Sequence, residues 1–249
     1  VKAAPIGSTV CVEAVVAGAG YTPVIVSVNG NLPKFYLRDS SGSNNNGLVT
    51  KTNNLGLRCS IQDANPAPAE GDRYVVEGVT TSPAYQEYRL ETVTGYARIS
   101  QGQLYPEPDA GVMDDIDDIV NANIDVRWGD LVKLTQVQYT SDPVVDTTNW
   151  YELKVTDGAT TGTVVVWKQF GVTLAELQAL GGTTRDLTGI ISRNQKDAFL
   201  ERENVLEPRS RDDIFGGAPQ AVANVGEAKS KRDGTIVNFT APQVVTLGD

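Results

Sequence analysis

A glycine followed by apolar residues three and five places on recurs three times along this chain, and each time it opens a stretch of alternating apolar and polar residues. Gly7 precedes Val10 and Val12, Gly129 precedes Val132 and Leu134, and Gly234 precedes Val237 and Phe239. A two-residue period is the mark of a half-buried β-strand, because successive side chains point to opposite faces. The three copies are read as the first strands of three β modules, the last cut off soon after it begins. A chain of 249 residues has room for about two ordinary domains. The organisation expected is therefore a β module over 1–100, a second over 101–215, and a linker with a lone C-terminal strand over 216–249.

Charge separates the modules. Residues 1–100 carry 8 basic and 8 acidic side chains, residues 101–215 carry 10 and 20, and residues 216–249 carry 3 and 3, so the net charge of -10 lies wholly in the second module. That balance argues against a general polyanion binder. The chain has no histidine, which removes the usual general base, the commonest zinc ligand and every Ser-His or Cys-His arrangement. No nucleophile-base pair or metal cage is visible in its place. The carboxylate pairs, such as Asp212 and Asp213, read as solvated surface. The expectation is a protein that is not an enzyme and holds no cofactor or metal.

Two cysteines, Cys11 and Cys59, both in the first module, in a chain rich in Thr, Val, Gly and Asn with one Met point to a secreted or cell-surface setting. Whether they pair stays open. Cys59 alternates with Leu55, Leu57 and Ile61, whereas Cys11 alternates with Glu13 on the outward side, and one bulge would realign it. No run approaches the ~18 apolar residues of a membrane span. The chain opens on Val1 and not on Met, which is read as processing.

Along the first module, strands are expected over 8–16, 33–39, 55–61, 71–79 and 88–93, with a turn at 17–20 and a Pro-rich coil at 65–68. Between modules, Met113, Ile116, Ile119 and Val120 fall at helical intervals. The aspartates at 114, 115, 117 and 118 lack the glycine and closing glutamate of a calcium loop, so a short helix with an acidic face is the reading preferred. The second module repeats the order, with strands over 131–139, 150–158, 162–167 and 185–192. A Thr173-x-x-Glu176 capping box starts a short helix that runs to Gly181-Gly182. Five short strands bounded by turn residues predict an all-β module, a small barrel with short helices.

Phe35-x-Leu37-x-Asp39-x-x-Gly42 after the first strand, the strand Thr188-Gly189-Ile190-Ile191 after a helix, and the closing Leu206-Glu207-Pro208-Arg209-Ser210-x-x-Asp213-Ile214 resemble the tandem oligonucleotide/oligosaccharide-binding (OB) fold modules of bacterial secreted proteins and lipoproteins, which often stand beside extracellular nucleases. The resemblance covers about residues 5–215 and is most specific at 206–214. The first module departs from it by putting Pro-rich coil where the barrel helix belongs. OB folds hold single strands with stacked aromatics and backbone-contacting arginines, which makes Tyr36, Arg38, Arg58, Tyr74, Tyr88 and Arg89 the candidate residues. The competing reading is that they simply cover the outside of a neutral barrel. Trp150 and Trp167, among excess acid, are read as packing residues.

Two functions from different classes follow. In the first, the C-terminal strand, with Ile236, Val237, Phe239, Val244 and Val245, pairs with a neighbouring subunit and builds an extracellular filament or array. In the second, the chain is a binding module of a larger secreted, nuclease-associated protein that takes single-stranded nucleic acid or glycan weakly. If the aspartates at 114–118 cap a helix and hold no ion, EDTA leaves the melting temperature unchanged. A fall of more than about 10 °C reveals a structural metal, since a ligand bound only to the folded state stabilises it.

Overall fold

The computed structural model describes residues 4–21, 34–39, 57–60, 68–81, 89–101, 114–122, 129–195, 202–216, 220–222 and 237–239. The first module contains β1 (Thr9–Tyr21), β2 (Lys34–Asp39), β3 (Leu57–Ser60), β4 (Arg73–Thr81) and β5 (Arg89–Ser100). They form a closed barrel in the order β1-β2-β3-β5-β4. Neighbours are antiparallel except β3 and β5, which run parallel.

The second module contains α1 (Ile116–Val120), β6 (Leu131–Tyr139), β7 (Val145–Asp146), β8 (Trp150–Thr156) and β9 (Thr161–Trp167). A 3-10 turn at Lys168–Phe170, α2 (Leu174–Gln178), β10 (Thr184–Gln195), β11 (Arg202–Glu207) and α3 (Asp212–Phe215) follow. Its sheet runs β6-β10-β11-β9-β8, and the further pairing of β6 with β8 closes the ring, leaving β7 as a short flank on β8. Numbered from its own first long strand, the ring again reads one-two-three-five-four, and again only three and five are parallel. Both modules are all-β barrels of OB-like order, as the repeat predicts.

The recurring glycines have a backbone reason. Gly7 and Gly129 stand two residues ahead of the first strand of each barrel, at φ 88° and 85°. Gly71 and Gly182 stand two residues ahead of the fourth strand, at φ 82° and 77°. These are conformations that a side chain resists. Each glycine N–H donates to the strand that its own will pair with: Gly7 to Thr80 O (2.7 Å), Gly71 to Val16 O (3.0 Å), Gly129 to Ile191 O (2.7 Å) and Gly182 to Tyr139 O (2.8 Å). Strands one and four are thus bracketed from both ends in both barrels. Gly234, which heads the third copy, lies outside the described residues.

The turn expected at 17–20 is instead strand. β1 runs on to Tyr21, with register irregularities about Gly18, because one strand must pair with β4 through 9–15 and then with β2 through 14–21. Bulges and glycines let it bend around the barrel. β6 bends in the same way. Thr135 and Gln136 stand opposite the single residue Asp186, with Gln136 at φ 54°. The Asp186 carboxylate accepts from the Gln136 amide (3.1 Å) and side chain (3.2 Å) and fixes that conformation.

Val132, Leu134, Val155, Val164, Val166, Leu187, Ile191 and Leu206 fill the second barrel, Ile116 and Ile119 of α1 join that core, and Leu177 and Leu180 come to it from α2 and the turn after it. α1 lies so close to β9 that a Cβ on Gly162 would come within 2.9 Å of Ile116 Cγ2. Both short helices start with capping boxes, Asp115 with Asp118 and Thr173 with Glu176. The linker aspartates therefore have structural partners: Asp117 accepts from Thr160 Oγ1 (2.7 Å) and Asp114 from the Lys133 amide (3.1 Å).

One expectation needs correction. Val237 and Phe239 lie in β13 (Val237–Phe239), which is no lone strand: it pairs in parallel with β12 (Gln220–Val222), within the stretch expected to be linker. A strand already bonded within its own chain on one edge does not need a neighbouring subunit to satisfy it. Ile236, Val244 and Val245 fall outside the described residues. Cys11, for its part, is free and exposed. It shares the outer side of β1 with Glu13, and the Cys59 backbone is in register with Leu90.

If positive φ is what the glycines supply, Gly182→Ala, which meets only Ser141 Oγ at 3.8 Å, lowers stability by about 1–2 kcal/mol through backbone strain alone. Gly95→Ala, at an ordinary strand position with open space around it, leaves stability unchanged or raises it. Urea denaturation of the two variants is the measurement, and equal effects refute the bracketing role.

Candidate ligand face

Register decides which candidate residues can act together. On β2 and β3, Lys34 is opposite Ser60, Phe35 opposite Cys59, Tyr36 opposite Arg58, and Leu37 opposite Leu57. On β3 and β5, Arg58 is beside Arg89 and Cys59 beside Leu90. Leu90 has no exposed surface, so the side of the sheet that carries 90, 59, 35 and 37 is the barrel interior. The alternate positions 34, 36, 38, 58 and 89 lie on the outer side. Tyr36, Arg58 and Arg89 form one row across three adjacent strands, ~4.8 Å apart from strand to strand, with Lys34 and Arg38 on either side of Tyr36 along β2. Position 91, a glutamate, shares that side of β5.

Four of the six residues expected from the sequence fall on β2, β3 and β5, with Tyr36, Arg58 and Arg89 at paired positions. Tyr74 is not among them, and this corrects the expectation. It is 2% exposed, in register with Ala14 inside the barrel, its ring 6.5 Å from that of Tyr96. Burial first of all, with the Asp72 charge adding to it, raises its phenol pKa, as suits a core tyrosine and not a stacking platform. Tyr88 falls outside the described residues. Lys34 was missed, although its place two residues before Tyr36 on one strand is a signal that alternation alone could have supplied.

The same face of the second barrel is closed. Trp150 is in register with Trp167, Glu152 with Val165, and Lys154 with Thr163. Thr163, Val165 and Trp167 are all buried, and Val165 and Trp167 form an apolar cluster with Leu131, Ile190 and Val205, with Trp150 and Phe170 packed against it. The two indoles lie 5.5 Å apart, so they are packing residues, as expected. Trp150 Nε1 donates to Glu152 (2.8 Å), and Lys154 bonds to Thr163 and Glu203. Glu152, Lys154 and Glu203 are thus engaged with neighbouring groups.

Carboxylates in this module are tuned towards ionisation. The Arg211 guanidinium (2.5 Å), then the amide and hydroxyl of Thr173 (2.9 and 2.8 Å), bring Glu176 to about 2. Hydrogen bonds from the amides of Thr160 and Ala159 hold Asp157 low. Burial works to raise Asp186, but the hydrogen bonds from Gln136 and Lys133 outweigh it. None of these three groups is a carboxyl held protonated for general acid work. A cleft of about 350 Å³ between the β6–β7 loop and α2 is lined by Tyr139, Asp142, Val144, Leu177 and Gln178 among others.

The fold defines the class: a tandem of OB-like β-barrels, the second with the outer face of its strands two, three and five packed shut. No family model and no curated protein matches the chain. Among solved structures, it is similar to a murine DNA-binding protein bound with double-stranded DNA (10% identity, TM-score 0.38, 80% of this chain and 95% of that one). It is also similar to the Ifi202 HINa domain in complex with a 20-base-pair duplex (13%, 0.35, 80% and 94%) and to the tetrameric p202 HIN2 (10%, 0.35, 81% and 89%). With TM-scores below 0.5 these overlaps are loose, and the properties of those proteins are not carried to this chain.

Lowered carboxyl pKa values fix the sign of the pH dependence. The stability that Glu176, Asp157 and Asp186 contribute is fully present above the ordinary carboxylate range, about pH 4, and is lost as pH falls through their lowered folded values. The melting temperature of the second barrel, followed by tryptophan fluorescence, is expected to drop between about pH 4 and pH 2. Glu176→Gln makes that drop shallower, and an unchanged profile in this variant counts against the assignment.

Proposed function

We propose that the protein is a non-catalytic binding protein whose first barrel takes an extended, single-stranded oligonucleotide across the outer face of β2, β3 and β5. The observation that carries this reading is the row Tyr36, Arg58 and Arg89, flanked by Lys34 and Arg38. The face of strands two and three is where an OB barrel is open to ligands. A row perpendicular to the strands offers successive cations to a backbone that crosses the barrel, with one aromatic on which a base can stack. Two cations in the row and two flanking it favour an anionic chain over a neutral glycan.

Affinity is modest on this reading. The first module is neutral overall and the second strongly acidic, so long-range attraction is weak and binding depends on the local row. Neutralising up to four phosphates of a single strand gives a log-log salt slope of about -3 at most. The second barrel acts as a rigid neighbour and not as a second site, because its corresponding face is filled by Trp150 and Trp167.

Fluorescence anisotropy with a labelled oligothymidylate at low salt tests this. A dissociation constant in the roughly micromolar range or weaker is expected. The double variant Arg58→Glu/Arg89→Glu weakens it by at least about tenfold, and Lys154→Glu on the second barrel leaves it unchanged. No binding at low salt, or binding indifferent to Arg58 and Arg89, overturns the reading.

A further inference from the structure

The closing motif Leu206-Glu207-Pro208-Arg209-Ser210-x-x-Asp213-Ile214 plays no part in the ligand face, yet it holds one of the most buried charges among the described residues. The Arg209 side chain is 1% exposed. Asp213, in the first turn of α3, grips it from three directions: Oδ2 accepts from the Arg209 amide (2.8 Å) and from Nε (2.9 Å), and Oδ1 accepts from Nη2 (3.0 Å). Such a two-pronged carboxylate pair fixes the guanidinium plane. Ile214, next in the motif, is buried in the core of the second barrel, so Arg209 is anchored to that barrel from behind.

The remaining nitrogen, Nη1, faces the first barrel, 3.9 Å from Glu70 Oε2. The backbone that carries Glu70 is held by its neighbours on both sides. It sits in the turn that leads into β4, where Asp72 N–H donates to Ala69 O (3.0 Å) and the Ala69 amide donates to Asp72 Oδ2 (3.2 Å). Gly71 N–H donates to Val16 O and Val16 N–H to Asp72 O (3.0 and 2.8 Å), with Arg98 3.7 Å from the buried Asp72 carboxylate. The turn occupies the connection between strands three and four, the place that α2 fills in the second barrel.

We propose that the motif is an inter-barrel clasp: Arg209, oriented by Asp213, carries a charge contact to Glu70 and makes the two barrels unfold as a coupled unit. Exposed ion pairs contribute little because two long side chains must be ordered and water screens them. Both objections are weaker here, since Arg209 is already fixed by Asp213 and out of water, and Glu70 stands on a hydrogen-bonded turn and is only 19% exposed. The inference is independent of the ligand reading.

The tryptophans make the test direct. All three, Trp128, Trp150 and Trp167, lie in the second module, and Glu70 lies in the first. In the full chain, Glu70→Gln is expected to lower the folded-to-unfolded ratio of the tryptophan-reported denaturation by roughly three- to tenfold, as coupled neighbours do. The same substitution in an Arg209→Met background has no further effect. Glu77→Gln, also in the first barrel but exposed, leaves the tryptophan signal unmoved. Should Arg209→Met not fold, Glu70→Arg replaces it, and the charge reversal must shift the transition further than Glu70→Gln does. A tryptophan transition indifferent to Glu70→Gln, an equal shift with and without Arg209, or equal shifts for Gln and Arg at position 70 overturns the clasp.

Discussion

Each barrel depends on the antiparallel pairing of its first strand with its fourth. These strands are distant in sequence, and their union closes the ring on which the parallel third and fifth strands are then supported. In both barrels a glycine at positive φ precedes each of the two strands and turns the chain so that its N–H reaches the partner strand before the ladder begins. The pairing therefore starts in register at both ends. A one-residue slip would exchange the inner and outer faces of the whole strand, so everything that the outer faces do rests on those four backbone turns.

Identical topology then carries two different outer surfaces. On the first barrel, strands two, three and five bring Tyr36, Arg58 and Arg89 into one row. On the second, the corresponding positions hold Trp150, Thr163, Val165 and Trp167, which pack against one another and against Leu131 and Ile190. Packing of the two indoles takes apolar surface out of water and stabilises this face of the second barrel. Its acidic excess is absorbed locally. Asp115 and Glu176 cap helices, Asp186 fixes the β6 bulge, and Asp213 orients Arg209. The net charge that argues against polyanion binding by the whole chain thus belongs to the second module, whose outer face is packed shut.

Alternation and turn chemistry determined a good part of this from the sequence alone. The span 131–139 reads as a strand because its apolar residues alternate, and Thr173 with Glu176 reads as a helix start because that pair satisfies two backbone donors at once; both stand as expected. The recurring glycine announced the repeat because glycine takes the positive φ ahead of each first strand at the least cost. What local pattern could not give was which strands meet. Tyr74 and Tyr36 look alike in sequence, each an aromatic on an alternating strand. Only the ring of strands turns Tyr74 inward beside Ala14 and sets Tyr36 in line with Arg58. The bend of β1 through Gly18 and Gly20 reads locally as a turn, and becomes strand only because two partners pair with it in succession. β13 likewise looks partnerless until β12 comes beside it, and Arg209 looks like surface until Asp213 and Glu70 surround it. Periodicity is a property of neighbouring residues, and the chain carries it wherever it goes. Strand partners and buried charges depend on contacts between residues far apart in sequence, which exist only once the barrels have closed.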